Sequence, residues 1–189
     1  MRPAVKELVV DASVVINLLG SGSPRELIEA IGQRLILPMR TRDEVLYDPS
    51  GRGNAAPALQ ALADAGLIDF VELSEVAREI FWSLIRELGD GEAAAIACAV
   101  SAGIALAVDD KKARRIAGDL NPRPQLVYSV ELFFIDEVRD ALPEHRIAEL
   151  LYSALREARM RVPSEYRARV VQLIGEARAS ECTSLGFWR

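Results

Sequence analysis

Histidine is almost missing from this chain: His145 is the only one in 189 residues. Ser-His-Asp triads, Cys-His pairs and imidazole-based zinc sites are thereby largely excluded. The two cysteines, Cys98 and Cys182, form no metal-spacing motif, and the expected setting is reduced and cytoplasmic. No apolar run approaches the ~20 residues that a bilayer span needs. Residues Met1–Glu7 lack the basic-then-apolar layout of a secretory signal. Net charge is −5, which argues against a surface coated in basic groups but leaves room for a local basic patch. With His and Cys so scarce, any bound metal has to be held by oxygen, which favours Mg²⁺ or Mn²⁺.

What remains is an ordinary globular composition, 50% hydrophobic and 27% charged, long enough for one core plus an extension. Residues 7–11 read as a buried strand, short and β-branched, with a helix expected over 12–19. "SPRELIEAIGQRL" carries a helix start, with Ser23 as N-cap, Pro24 at the first position and Glu26 closing a capping box. Strands are expected at 35–38, 67–73, 104–110 and in "QLVYS". Between them lie a helix from Thr41 to Tyr47, a loop over 48–54, a helix ended by Gly66, one capped by Ser74 and one from the Gly89-Asp90-Gly91 break to Gly103. "KKARRIAGDL" and "VELFFIDEVRDAL" read as further helices, and after Pro143 only amphipathic helical patterns appear, broken at Pro163. Alternating strands and helices indicate an α/β fold with a parallel sheet.

Two of the strands end in acid: the first at Asp11, the fourth at Asp109-Asp110. Ligands of open parallel sheets sit beyond the carboxyl ends of strands, where strand order reverses. If strands one and four are neighbours there, these carboxylates converge. Glu44 and Glu92 lie at expected helix starts, which often face the same sheet edge. Carboxylates packed together raise each other's pKa unless a cation neutralises them. Each acid also has a plainer reading. Asp11 or one of the Asp109-Asp110 pair serves as an N-cap, Glu44 closes a capping box with Thr41, and Glu92 complements a helix dipole.

In order along the chain, "VVDASVVINLL" with Asp11, "RDEVLYD" with Glu44, "LGDGEAAAIACA" with Glu92 and "LAVDDKKARRIA" with Asp109-Asp110 resemble the PIN-domain family. The resemblance covers roughly residues 6–140. Many members of that family are metal-dependent ribonucleases, including VapC-type toxins of toxin–antitoxin pairs. The resemblance implies a three-layer α/β/α sandwich with strand order 3-2-1-4-5, a nuclease domain over 1–140 and a helical extension over 141–189. It implies catalytic Asp11, Glu44, Glu92 and Asp110, with Asp11, Glu92, Asp109 and Asp110 as candidate ligands of Mg²⁺ or Mn²⁺. Asp110 is favoured over Asp109, because the family's acid usually stands two residues beyond a threonine position, here Val108. Glu92 stands where many relatives carry aspartate, and Ser13 matches a family position next to the first acid. The implied partners are RNA, an antitoxin protein and a second copy of the chain in a homodimer.

Lys111, Lys112, Arg114 and Arg115 follow the acidic pair directly. They read either as a grip on an RNA backbone or as a solvated helix face. Phe81, Trp82, Phe133 and Phe134 are expected in the core or in dimer contacts rather than as base-stacking platforms, Cys98 in the core and His145 at the surface. Three other classes fit poorly. "GDGE" lacks the Lys-Ser/Thr of a P-loop. A receiver domain needs its acidic pair early, and a haloacid-dehalogenase-type phosphatase needs an acid at Ser13. The competing reading of a different class is a PIN-like module that binds RNA or protein with weak or no turnover. The stripes Ile147, Leu150, Leu151, Leu155 and Val170, Leu173, Ile174 predict packing or assembly for the last helices.

Overall fold

A computed structural model describes residues 6–46 and 55–186. The expected loop over 48–54 lies outside the described residues. Five short strands form one all-parallel sheet: β1 (Glu7–Val10), β2 (Arg34–Pro38), β3 (Ile68–Val71), β4 (Ala105–Ala107) and β5 (Leu126–Val127). Between and after them run α1 (Ala12–Leu19), α2 (Pro24–Ile31), α3 (Met39–Leu46), α4 (Ala56–Asp64), α5 (Glu75–Leu84), α6 (Asp90–Ala102), α7 (Lys111–Asp119), α8 (Asp136–Ala141), α9 (Glu144–Glu157), α10 (Ser164–Ile174) and α11 (Glu176–Ser180). The strand order is β3-β2-β1-β4-β5, as expected.

Chain contacts divide the molecule into two compact units. The first comprises Met1–Val15 and Gln33–Tyr128, the second Ile16–Gly32 and Ser129–Arg189. In the first unit β1 pairs with β2 on one side and β4 on the other, with Leu8 opposite Leu35 and Ala105. The chain adds strands in one direction up to β3 and then in the other from β4. The reversal falls between β1 and β4, where such sheets bind ligands. Val9, Val10, Leu35, Leu37, Leu106 and Ala107 are fully enclosed, so these strands carry apolar side chains on both faces. α6 is sheathed in the same way: Ala93 to Ala97 are at most 1% exposed, and the helix touches β1, β2, β4, α3, α5 and α7. Its run of alanines lets backbones approach closely, and a helix apolar all round belongs inside. Cys98 is part of that core.

In the second unit α9 supplies Ile147, Leu150, Leu151 and Leu155, all buried, and α10 supplies Val170 and Ile174. Phe133 is fully buried there, and His145 is exposed.

Three local expectations are corrected. Ser23 does precede α2, but its hydroxyl makes no cap hydrogen bond; both Ser23 and Glu26 are taken by Arg146, at 3.0 Å and 2.6 Å. A charged guanidinium fork outcompetes the neutral backbone N–H groups that a capping box offers those side chains. "VELFFIDEVRDAL" is a 3-10 helix over Ser129–Phe133 followed by α8, because burial of Val130, Leu132, Phe133 and Val138 needs a change of direction that one straight helix does not give. α3 begins at Met39, directly after β2, so Thr41 is no N-cap and Glu44 sits in the second turn rather than at a helix start. By contrast Ser74 caps α5 as expected, accepting the Ala77 N–H at 3.2 Å.

Candidate active site

Asp11 is the first residue past β1, and its N–H makes the last rung of the ladder to Ala107 O at 3.0 Å. The backbone is thereby pinned where β1 meets β4, and the side chain, 4% exposed, points into the protein. The Ser13 hydroxyl donates to Oδ2 at 2.8 Å, and the Ser13 N–H lies at 3.4 Å from the same oxygen. Oδ1 is buried and has no hydrogen-bond partner among the described residues. An N-cap needs only the first oxygen, so capping leaves the second unexplained. Burial pushes the Asp11 carboxyl above the usual carboxylate range. The Ser13 hydroxyl and the Ala12 and Ser13 N–H groups pull it back, and the charge of Asp110 adds to the rise.

Glu44 reaches the start of α6. Its Oε1 accepts the Gly91 N–H at 2.7 Å, while the Thr41 hydroxyl donates to Gly91 O at 2.9 Å. The turn at Gly91 is thus held from both sides by α3. A Cβ on residue 91 would stand 2.2 Å from Glu44 Oε2, so this approach requires glycine. Glu44 as a residue is exposed, but its carboxyl against Gly91 is partly desolvated, which raises its pKa; the Gly91 N–H opposes this, and Asp11 and Asp90 reinforce it. Glu92, in the first turn of α6, accepts the Gly89 N–H through Oε2 at 3.3 Å. It too is raised, first by desolvation, then by Asp11, Asp110 and Glu44, against the Gly89 N–H.

Asp110 is the N-cap of α7, and its Oδ1 accepts the N–H groups of Lys112 and Ala113 at 2.8 and 2.9 Å. The acid favoured as a ligand is thus also the cap, a place that the plainer reading left open between the two aspartates. The cap uses one oxygen only. The charge of Asp110 helps to raise Asp11 and Glu92.

One pattern joins the four acids. Asp11 Oδ1, Glu44 Oε2, Glu92 Oε1 and Asp110 Oδ2 accept no hydrogen bond among the described residues, while the other oxygen of each is fixed by a hydroxyl or a backbone N–H. Fixed carboxylates that repel one another and keep an oxygen unused suit a hard divalent cation, and the all-oxygen donor set suits Mg²⁺ or Mn²⁺. Among the described residues, however, no three His, Cys, Asp or Glu side chains are drawn close enough to enclose an ion.

The basic run divides. Arg114 donates to Val108 O at 2.8 Å and lies over the Tyr128 ring, and Lys112 donates through Nζ to Glu87 O; both brace α7. Arg115 is 3.7 Å from Asp119 and 4.0 Å from Glu87 and stays exposed, as does Lys111. Sequence reading missed the parts of Thr41 and Gly91. Their signal was the glycine flanked by acids in "GDGE".

A comparison with curated proteins gives no match. A family model for the PIN domain matches residues 7–176, most of the chain. That match covers the parallel sheet and every acid described above, and on it the chain belongs to the PIN-domain family.

Proposed function

We propose that this chain is a Mg²⁺- or Mn²⁺-dependent endoribonuclease, a hydrolase of RNA phosphodiesters. PIN domains are generally nucleases and typically act on RNA. The observation that carries the reading is Asp11 Oδ1: a carboxylate oxygen buried, and without a partner among the described residues, at the point where strand order reverses. Such an atom costs free energy in the folded chain unless something cationic meets it. Asp11, Glu92 and Asp110 would hold the ion, with Glu44 beside them and Asp109 as the alternative fourth acid. A bound divalent ion polarises a phosphate, acidifies a water and supports the leaving oxygen.

The chain's own residues do the positioning. Ser13 fixes the rotamer of Asp11 through Oδ2. Thr41 and Gly91 lock the turn against which Glu44 is set, so that α3 and α6 keep their two acids in register. The α7 amides hold Asp110. Lys111, which opens α7, and Arg115, one turn on, are exposed and would meet phosphate oxygens; Lys112 and Arg114 serve mainly as braces.

The open arrangement of the acids favours a second reading, a PIN-like RNA- or protein-interaction module with weak turnover. Calorimetric titration with Mn²⁺, run beside RNA cleavage with and without chelator, separates the two. The ribonuclease reading expects Mn²⁺ binding and robust chelator-sensitive cleavage; the module expects at most weak cleavage. As a toxin, the chain would be masked by an antitoxin encoded beside it, which the neighbouring gene tests. We further propose a nuclease domain over 1–140 and an extension over 141–189 that serves packing or a homodimer, which sedimentation tests.

A further inference from the structure

One face of α5 is turned away from the core and carries acid and base on either side of an indole. Ala77, Phe81, Leu84 and Leu88 are buried. The opposite stripe, at the same helical spacing, is Glu75, Glu79, Trp82 and Arg86, all exposed. α5 ends at Leu84, but the turn carries on: the Leu88 N–H is 3.0 Å from Leu84 O, so Arg86 stays in line with the stripe. Trp82 is 61% exposed, a large apolar surface to leave in water. Its ring meets the buried Phe81 ring edge to face, 5.3 Å between centroids, which steadies the indole.

Neither Glu79 nor Arg86 has a side-chain partner among the described residues. They cannot satisfy each other within one chain, because seven residues of helix hold them about 10 Å apart. Their spacing from Trp82 is nearly equal, three residues before it and four after. A second α5 laid antiparallel on the first, with a two-fold axis at Trp82, would bring Glu79 of each copy level with Arg86 of the other to within one residue's rise, ~1.5 Å. The two indoles would meet on the axis. An isologous contact repeats every pair, so both acids and both arginines are met. Arg78 stands to one side of the stripe and closes no pair. A polyanion fits this stripe badly, since it would face Glu75 and Glu79 as well as Arg86.

We propose that this face docks a second copy of the chain: α5 packs on α5 antiparallel, Trp82 against Trp82, with Glu79 opposite Arg86 twice. The contact gives the homodimer a face other than the helical extension, and it does not depend on the chemistry of the ribonuclease reading. From Glu75 to Arg86 the stripe is about 17 Å long on a helix ~10 Å wide. That is smaller than the ~800 Å² per partner of a standard interface. A weak, exchanging dimer with Kd of roughly 1–100 μM is therefore expected.

The test is sedimentation equilibrium of the full chain, without RNA or metal, over concentrations that span this Kd range. The parent should dimerise, and Trp82→Ala should weaken the dimer by roughly 10-fold or more. Glu79→Arg alone and Arg86→Glu alone each set like charges opposite one another and should be monomeric. Mixed in equal amounts, these two variants should associate with each other, because each now supplies the sign that the other lacks. Both changes in one chain should restore a dimer close to the parent's. Such recovery has to come from contact between copies, since residues 79 and 86 are too far apart to meet within one chain. Circular dichroism of each variant checks its fold. A monomeric parent, or reversals that neither mixing nor the double change rescues, would overturn the proposal. A dimer that the reversals leave intact would also overturn it and return the homodimer to the extension. RNA cleavage with Mn²⁺, followed separately, reports on the ribonuclease reading alone.

Discussion

Asp11→Asn should make the metal-free protein more stable while abolishing its chemistry. The native carboxylate is 4% exposed; one oxygen is satisfied by Ser13, and the other has no partner among the described residues. An unsatisfied buried acceptor costs ~1–3 kcal/mol, and the negative charge of Asp110 adds to that. The amide keeps an oxygen for Ser13, removes the charge and turns N–H groups toward acidic neighbours. A net gain of about 1 kcal/mol, or 2–4 °C in Tm for a chain of this size, is expected in excess chelator. Saturating Mn²⁺ reverses the order: at 100 times Kd the wild type gains about 2.7 kcal/mol and the variant nothing. Differential scanning calorimetry with chelator and then with Mn²⁺ measures both, and RNA cleavage is followed on the same samples. A variant that melts below the wild type in chelator, or keeps the Mn²⁺ shift, or still cleaves, would refute the reasoning.

Other outcomes follow from the same geometry. Asp110→Asn should leave Tm nearly unchanged, since Asn caps as well as Asp, yet lose cleavage, whereas Asp110→Ala should also cost about 1 kcal/mol in a thermal scan. Gly91→Ala should drive the Glu44 carboxyl off its N–H; because that carboxyl is the end of a flexible side chain, the fold should persist while Mn²⁺ affinity falls, as calorimetry reads. The raised carboxyls of Asp11, Glu44 and Glu92 give a pH signature. In chelator the native state holds those protons after the unfolded chain has released them, so their contribution is fully present below the ordinary carboxylate range and is lost as pH rises through the raised native values. Tm followed against pH with and without Mn²⁺ should show that loss only without the ion. Truncation after Pro143 removes Ile147, Leu150, Leu151 and Leu155, each at most 4% exposed, and should yield aggregation or strong binding of a hydrophobic dye.

Period and punctuation made the fold legible in the sequence. Short β-branched or alanine-rich runs bounded by Gly, Pro and Ser identify five strands, and only a reversal of strand order brings the acid-ended β1 and β4 together. The candidate acids were legible for a similar reason: a charge at the end of an apolar run has few structural uses. Tertiary structure decided how each acid is held. Ser23 and Glu26 look like a capping box until Arg146, 123 and 120 residues on, takes both. Thr41 and Glu44 look like another, yet both turn to Gly91, 50 and 47 residues on. Asp109 and Asp110 are indistinguishable as letters, and only the start of α7 makes Asp110 the cap with an oxygen to spare. A local pattern ranks only local partners for a side chain, whereas the folded chain offers distant donors that are charged or already fixed in place, and their hydrogen bonds are the stronger ones.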